Sequence, residues 1–259
     1  MKIIHVSSYE ELSRKAADLI AAQILLKPDC ILGLATGSTP IGTYQNLVKK
    51  YQQGDLDFSK VITFNLDEYL GLTPDHPQSY RYFMNDNLFN HVNVRPECTH
   101  VPDGCAEDPA AYGLAYDQAI AEQGGIDLQL LGIGNNGHIA FNEPAEVFVK
   151  ETHTVELKQS TIEANKRFFE SIDQVPTKAI TMGMGSIMQA KKVLLIADGP
   201  AKKEAIEKSF YGPICPEVPA SILQGASQRD HTGERLRELF YRITFHKTGG
   251  SFGKIILLN

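Results

Sequence analysis

Short apolar runs alternate with stretches of helical periodicity over most of this chain, the pattern of parallel βα units. Residues 1–6 read as a first strand. Ser7 and Ser8 each have a glutamate three residues on, Glu10 and Glu11, which is a capping-box start. The helix that follows carries an apolar stripe of Leu12, Ala16, Leu19, Ile20 and Ile24. Residues 30–35 form an uninterrupted apolar run of the buried-strand type, and Pro40 opens a helix to about residue 50. Residues 61–67 and 126–132 read as further strands, the second entered after a helix over about 109–122; more apolar runs lie at 179–182 and 193–197. No internal repeat, low-complexity linker or break in composition divides residues 1–224. The pattern predicts an α/β fold: a single doubly wound domain with a mostly parallel sheet flanked by helices. In such a domain ligands belong at the carboxyl ends of the strands.

Composition narrows the partners. With 259 residues, 42% hydrophobic and 22% charged, the chain can bury one sizeable core. A formal net charge of −6 gives no general field for nucleic acid or an anionic membrane, so an anionic ligand needs a local positive site. The apolar start is short and followed at once by charges, unlike a signal peptide or a membrane span. Cys30, Cys98, Cys105 and Cys215 form no CxxC pair and no metal spacing. A cytoplasmic enzyme is the expectation.

Three constellations sit directly after predicted strands. Leu34-Ala35-Thr36-Gly37-Ser38-Thr39-Pro40 runs from strand to helix N-terminus, where free N–H groups and the helix dipole favour an oxyanion. Gly37 would let backbone approach a phosphate, and Ser38 and Thr39 add hydroxyl donors; the same residues also make an ordinary helix cap. Phe64-Asn65-Leu66-Asp67-Glu68-Tyr69 offers two carboxylates, of which alternation along a strand turns only one toward a site. A carboxylate there suits a general base on carbon next to a carbonyl, although a solvated acidic turn has the same sequence. Residues 132–144 place Asn136, His138 and Glu143 on a glycine-rich loop, a proton shuttle of the kind that opens a cyclic sugar. Arg167 and Lys202 could close on a phosphate, or be solvated surface charges.

Taken together the segments Thr-Gly-Ser-Thr-Pro, Phe-Asn-Leu-Asp-Glu-Tyr, Gly-His-Ile-Ala-Phe-Asn-Glu-Pro, Ala-Asn-Lys-Arg-Phe-Phe and Pro-Ala-Ser-Ile-Leu-Gln resemble, in order and spacing, the isomerising glucosamine-6-phosphate deaminase family over residues 1–224. The resemblance implies conversion of glucosamine 6-phosphate and water to fructose 6-phosphate and ammonia, without a metal or an organic cofactor. It implies Asp67 as the base working between C2 and C1. His138 becomes the ring-opening acid/base, oriented by Glu143 and Asn136. Gly37, Ser38, Thr39, Arg167 and Lys202 become the phosphate site. The rivals are a 6-phosphogluconolactonase on a similar fold, which needs no acid at C2, and a non-catalytic sugar-phosphate sensor, which needs neither Asp67 nor the His138–Glu143 pair.

Three departures qualify the resemblance. Position 136 is Asn where well-studied members have Asp, so Glu143 should carry more of the charge stabilisation of an imidazolium. His153 and Val155 stand where allosterically activated members carry basic residues, with only Lys150 nearby. This predicts no activator site and a monomer or small homo-oligomer. Residues 225–259 match nothing in the family, as a shift of coding frame near residue 225 would produce. Within that divergent tail residues 254–258 look strand-like, and the loss of a familiar closing strand predicts an exposed sheet edge.

Overall fold

The computed structural model describes residues 2–159, 162–163, 166, 169, 171, 174–228 and 254–258. Strand β1 (Lys2–Val6) leads into α1 (Tyr9–Leu26), where the Ser8 hydroxyl accepts the Glu11 N–H as the capping box predicts. Then follow β2 (Ile31–Leu34), α2 (Ile41–Gln52), β3 (Ile62–Asn65), β4 (Asp67–Tyr69), α3 (Tyr80–Asn87), β5 (Thr99–His100) and α4 (Pro109–Glu122). The second half runs through β6 (Leu128–Leu131), β7 (His153–Glu156), β8 (Lys178–Thr181), α5 (Met184–Gln189), β9 (Val193–Ala197), α6 (Lys203–Tyr211) and β10 (Lys254–Leu258). Among the described residues no helix is long and apolar enough to cross a membrane.

Seven strands form the main sheet in the order β1-β10-β9-β6-β2-β3-β5, and β9, β6, β2, β3 and β5 run parallel. Burial explains the uninterrupted apolar runs: β2, β6 and β9 are buried at every position because helices cover both faces of a parallel sheet. From β2 the chain builds outward to β3 and β5, then returns to the other side of β2 with β6. That reversal opens a crevice between the carboxyl ends of β2 and β6, where a doubly wound sheet has room for a ligand. At the opposite ends of these strands the buried Asp127 carboxylate takes Lys27 Nζ at 2.7 Å, Lys191 Nζ at 2.8 Å and the Ile31 N–H at 2.8 Å. Burial pushes its pKa up, but the hydrogen bonds from Lys191, Lys27 and Ile31 outweigh burial and hold it below the ordinary value.

Two features differ from the sequence reading. Residues 61–67 are not one strand: β3 stops at Asn65, and Asp67 begins β4 in a separate antiparallel sheet ordered β4-β8-β7. The Met182 N–H reaches the Leu66 carbonyl at 2.7 Å, so the two sheets are stitched at this bend. The closing strand expected to be lost is also supplied, by the tail itself. β10 inserts antiparallel between β1 and β9, with Ile255, Ile256 and Leu257 buried. Lys-Ile-Ile-Leu-Leu is the apolar, β-branched composition that a strand buried on both faces requires.

The Asp127 cluster fastens the starts of β2 and β6 to the segment entering β9, so Asp127→Asn should lower unfolding stability by about 1–3 kcal/mol at pH 7. A carboxylate with a depressed folded pKa stabilises above its unfolded pKa and loses that contribution as pH falls. The gap between wild type and variant in urea unfolding should therefore narrow below about pH 4.

Candidate active site

One cleft of about 470 Å³ opens at the β2/β6 crevice. Its walls bring together Gly37, Ser38 and Thr39 from the turn after β2, Asp67 from the β3–β4 bend, Asn136 and His138 from the loop after β6, and Lys202 beyond β9. Seven of the nine sequence-predicted residues thus share one cavity. Glu143 stands behind His138, and Arg167 lies outside the described residues. Thr36, Tyr80 and Ala140 also line the cleft and were not singled out from sequence.

Asp67 and Glu68 divide as strand alternation requires. Glu68 turns away and accepts the N–H groups of Tyr69, Tyr80 and Arg81 at 2.8, 2.9 and 3.0 Å, which anchors it at the first turn of α3. Burial raises its pKa to about 6 in spite of those donors. Asp67 faces the cleft and is 6% exposed, and its carboxylate receives no hydrogen bond from any described residue. Burial first, and the Glu68 charge second, hold its pKa well above the ordinary aspartate value. A desolvated carboxylate of this kind is a stronger base toward a proton in the cleft than one in water.

Residues 132–144 form a loop whose shape is fixed from several sides. The Gly134 N–H donates to the His138 carbonyl at 2.8 Å, the Phe141 N–H to Thr181 Oγ1 at 3.0 Å, and Asn142 Nδ2 to the Met182 carbonyl at 2.9 Å. Ala220 donates its N–H to the Gly137 carbonyl at 2.9 Å. Ala140 takes a positive φ of 52°, a strained conformation for a residue with a Cβ. A Cβ at position 134 would stand 2.3 Å from the His138 ring, so only glycine lets the imidazole lie down on the backbone there.

Behind the imidazole, Glu143 Oε1 is 3.5 Å from His138 Nδ1, and Asn136 Nδ2 donates to Glu143 Oε2 at 2.6 Å. Asn136 Oδ1 accepts the His138 backbone N–H at 3.1 Å. A backbone N–H can only donate, so it fixes the Asn136 amide with its nitrogen toward Glu143. Among the described residues His138 Nδ1 is buried without a hydrogen-bond partner and faces the carboxylate, which leaves Nε2 as the nitrogen available to the cleft.

Across the cleft, Gly37 adopts a φ of 94° as the turn leaves β2, a backbone that favours glycine. Helix α2 starts at Ile41, and its N-cap residue Pro40 supplies no side-chain cap. Tyr80 borders Asp67, hydrogen-bonds Tyr69 through its hydroxyl at 3.3 Å, and stacks against Phe141 with centroids 5.9 Å apart. No sequence signal marks Tyr80; its place follows from Glu68 fastening the start of α3 beside the β3–β4 bend.

Comparison with known proteins fits this geometry. Residues 7–232 match the model of the family described as glucosamine-6-phosphate isomerases/6-phosphogluconolactonase. A glucosamine-6-phosphate deaminase of Lachnoclostridium phytofermentans is 64% identical over 224 residues, 86% of this chain and 95% of that protein. One from Thermoanaerobacter sp. (strain X514) is 56% identical over 223 residues, 86% of this chain and 88% of that protein. Among solved structures, a monomeric glucosamine-6-phosphate deaminase superposes with a TM-score of 0.84 at 47% identity, covering 86% of this chain and 93% of its own. A 6-phosphogluconolactonase from Thermotoga maritima reaches 0.63 at 18% identity, covering 82% and 90%, a likeness of fold alone.

The unpaired burial of Asp67 predicts a conflict between stability and chemistry. Its folded pKa is raised, so stability is lost as pH rises from the unfolded value near 3.9 through the folded one. Asp67→Asn should therefore melt at a higher temperature than wild type at pH 7.5. The advantage should fade as both are measured toward pH 4.

Proposed function

We infer that this chain, which belongs to the glucosamine-6-phosphate isomerase/6-phosphogluconolactonase family, is an enzyme that converts glucosamine 6-phosphate and water to fructose 6-phosphate and ammonia. The observation that carries the reading is a desolvated carboxylate, an imidazole–carboxylate pair and a helix-start turn lining or backing one cleft. In it, the turn at Gly37, Ser38 and Thr39, with Lys202 from beyond β9, holds the phosphate. Arg167 is assigned there on sequence grounds. His138 takes the proton of the anomeric hydroxyl through Nε2 and returns one to the ring oxygen, which opens the sugar to an aldehyde. Glu143 stabilises the imidazolium formed on the way. Asp67 then removes the proton at C2 while the C1 oxygen takes one from solvent, giving an enediol-type enolamine, and Asp67 delivers its proton to C1. The proton taken from solvent is returned when ammonia leaves. The amine-bearing C2 becomes an iminium, water adds to it, and the adduct collapses to the ketone with loss of ammonia.

Asn136 serves this scheme as a neutral positioning residue. Its N–H holds one oxygen of Glu143 and leaves the other for His138. A carboxylate at 136 would set two acids at hydrogen-bond distance, a pair able to carry only one charge comfortably near neutral pH. The asparagine is thus compatible with an active enzyme. We assign residues 1–224 as the catalytic α/β domain, the cytoplasm as its place of action, and a monomer or small homo-oligomer as its state. No nucleic acid or membrane partner enters the scheme. Lactone hydrolysis is less well supported, since it has no use for a base at C2 and the identity to deaminases is much the higher.

Ammonia release from glucosamine 6-phosphate is the test. Wild type should turn over, and Asp67→Asn should lose about 100-fold or more in kcat while remaining folded. Asn136→Asp should retain turnover with a pH profile altered on its acid side. A wild-type enzyme that is inert and is rescued only by Asn136→Asp would contradict the assignment. The region of the predicted missing activator site contains His153, whose Nδ1 is 2.8 Å from the Glu151 carbonyl, and an exposed Lys150. Rate against substrate should be hyperbolic and unmoved by N-acetylglucosamine 6-phosphate; a sigmoid curve relieved by that compound would overturn this.

A further inference from the structure

The hydroxyl of Tyr9, on the first turn of α1, sits behind the turn that follows β2. It lies 3.1 Å from the carbonyl oxygens of both Ser38 and Thr39 and accepts the Gly42 N–H at 2.9 Å. Its single proton is shared between two acceptors, while a lone pair satisfies a donor in the first turn of α2. The contact is close on the packing side as well. A Cβ at Gly42 would stand 3.1 Å from Tyr9 Cε1 and 2.3 Å from Ser13 Oγ, so α1 and α2 meet there only because residue 42 is glycine.

Peptide planarity gives this contact a consequence for the cleft. The C=O and N–H of a trans peptide point in opposite directions. With the Ser38 carbonyl held by Tyr9, the N–H of Thr39 is turned the other way, and Thr39 lines the cleft. Without the Tyr9 proton the two carbonyls would lose a shared donor. A rotated Ser38–Thr39 peptide would then bring an oxygen, rather than a donor, toward an anionic ligand. That rotation turns ψ of Ser38 and φ of Thr39, in a turn that belongs to no strand or helix, and the Tyr9 hydroxyl is a described group that opposes it.

We propose that Tyr9 is a positioning residue for phosphate: its hydroxyl fixes the Ser38–Thr39 peptide with N–H toward the cleft and so sets affinity for the substrate's phosphate. Tyr9 itself touches no reacting atom. The proposal rests on the phosphate assignment of the Gly37–Thr39 turn, and it is independent of the roles given to Asp67 and His138.

Tyr9→Phe keeps the ring between the helices and removes only the hydroxyl. Loss of such a hydrogen bond should raise KM for glucosamine 6-phosphate about ten-fold, with most of the change in kcat/KM carried by KM. The inhibition constant of inorganic phosphate should rise by the same factor. A variant with unchanged KM and unchanged phosphate inhibition overturns the proposal. So does a fall in kcat alone, which would place Tyr9 with the chemistry instead. Titration calorimetry of inorganic phosphate into wild type and Tyr9→Phe keeps the test separate from the catalytic reading. An enzyme inert toward glucosamine 6-phosphate that still binds phosphate more tightly than its Tyr9→Phe variant supports Tyr9 and refutes the substrate. Equal phosphate affinity refutes Tyr9 whatever the substrate. Thermal unfolding of both proteins without phosphate checks that the variant is folded at the assay temperature.

Discussion

A carboxylate kept out of water is the constraint on which the rest of the site turns. Asp67 has no described donor to compensate its burial, and its neighbour Glu68 adds repulsion to desolvation. Folding alone would avoid such a group. It persists because the chain is forced through a bend there: β3 ends at Asn65, and β4 starts at Asp67 in a different sheet. The bend is held by the Met182 N–H on Leu66, by Glu68 at the start of α3, and by the pairing of β4 with β8. Leu66 and Glu68, on either side, have partners elsewhere, so the Asp67 carboxylate is left desolvated where a proposed base can use it.

The side proposed for ring opening is built on the opposite plan. There the charge partner is present and held in place: Asn136 ties one oxygen of Glu143, and the other faces His138. The loop carrying them is pinned from β8, from the segment after it and from the region around Ala220. A base for carbon benefits from being underpaired, whereas a shuttle between two oxygens near neutral pH benefits from a fixed counter-charge. Both arrangements open onto one cleft because the sheet reverses its direction of growth between β2 and β6.

Much of this was legible from sequence, for identifiable reasons. Strands buried on both faces announce themselves as unbroken apolar runs, and the Ser8–Glu11 cap and the glycine-rich turns mark where chain direction changes. The opposite orientations of Asp67 and Glu68 followed from the two-residue period of a strand. What escaped depended on contacts distant in sequence. Residues 61–67 look like one strand because nothing local reveals that β8 captures Asp67 into a second sheet. Tyr80 and Tyr9 carry no motif, and their roles come from where α3 and α1 are docked. The strand at Lys254–Leu258 was readable as a strand, but its place between β1 and β9 was not, since an apolar five-residue run specifies burial and not partners.

The most direct test of this account is the pH dependence of kcat/KM for ammonia release from glucosamine 6-phosphate, which reports the ionisations of the free enzyme. If Asp67 is the desolvated base, the acid limb should fall off at a pH well above the ordinary aspartate value of about 3.9. A limb lying at that ordinary value, or full activity retained by Asp67→Asn, would contradict it.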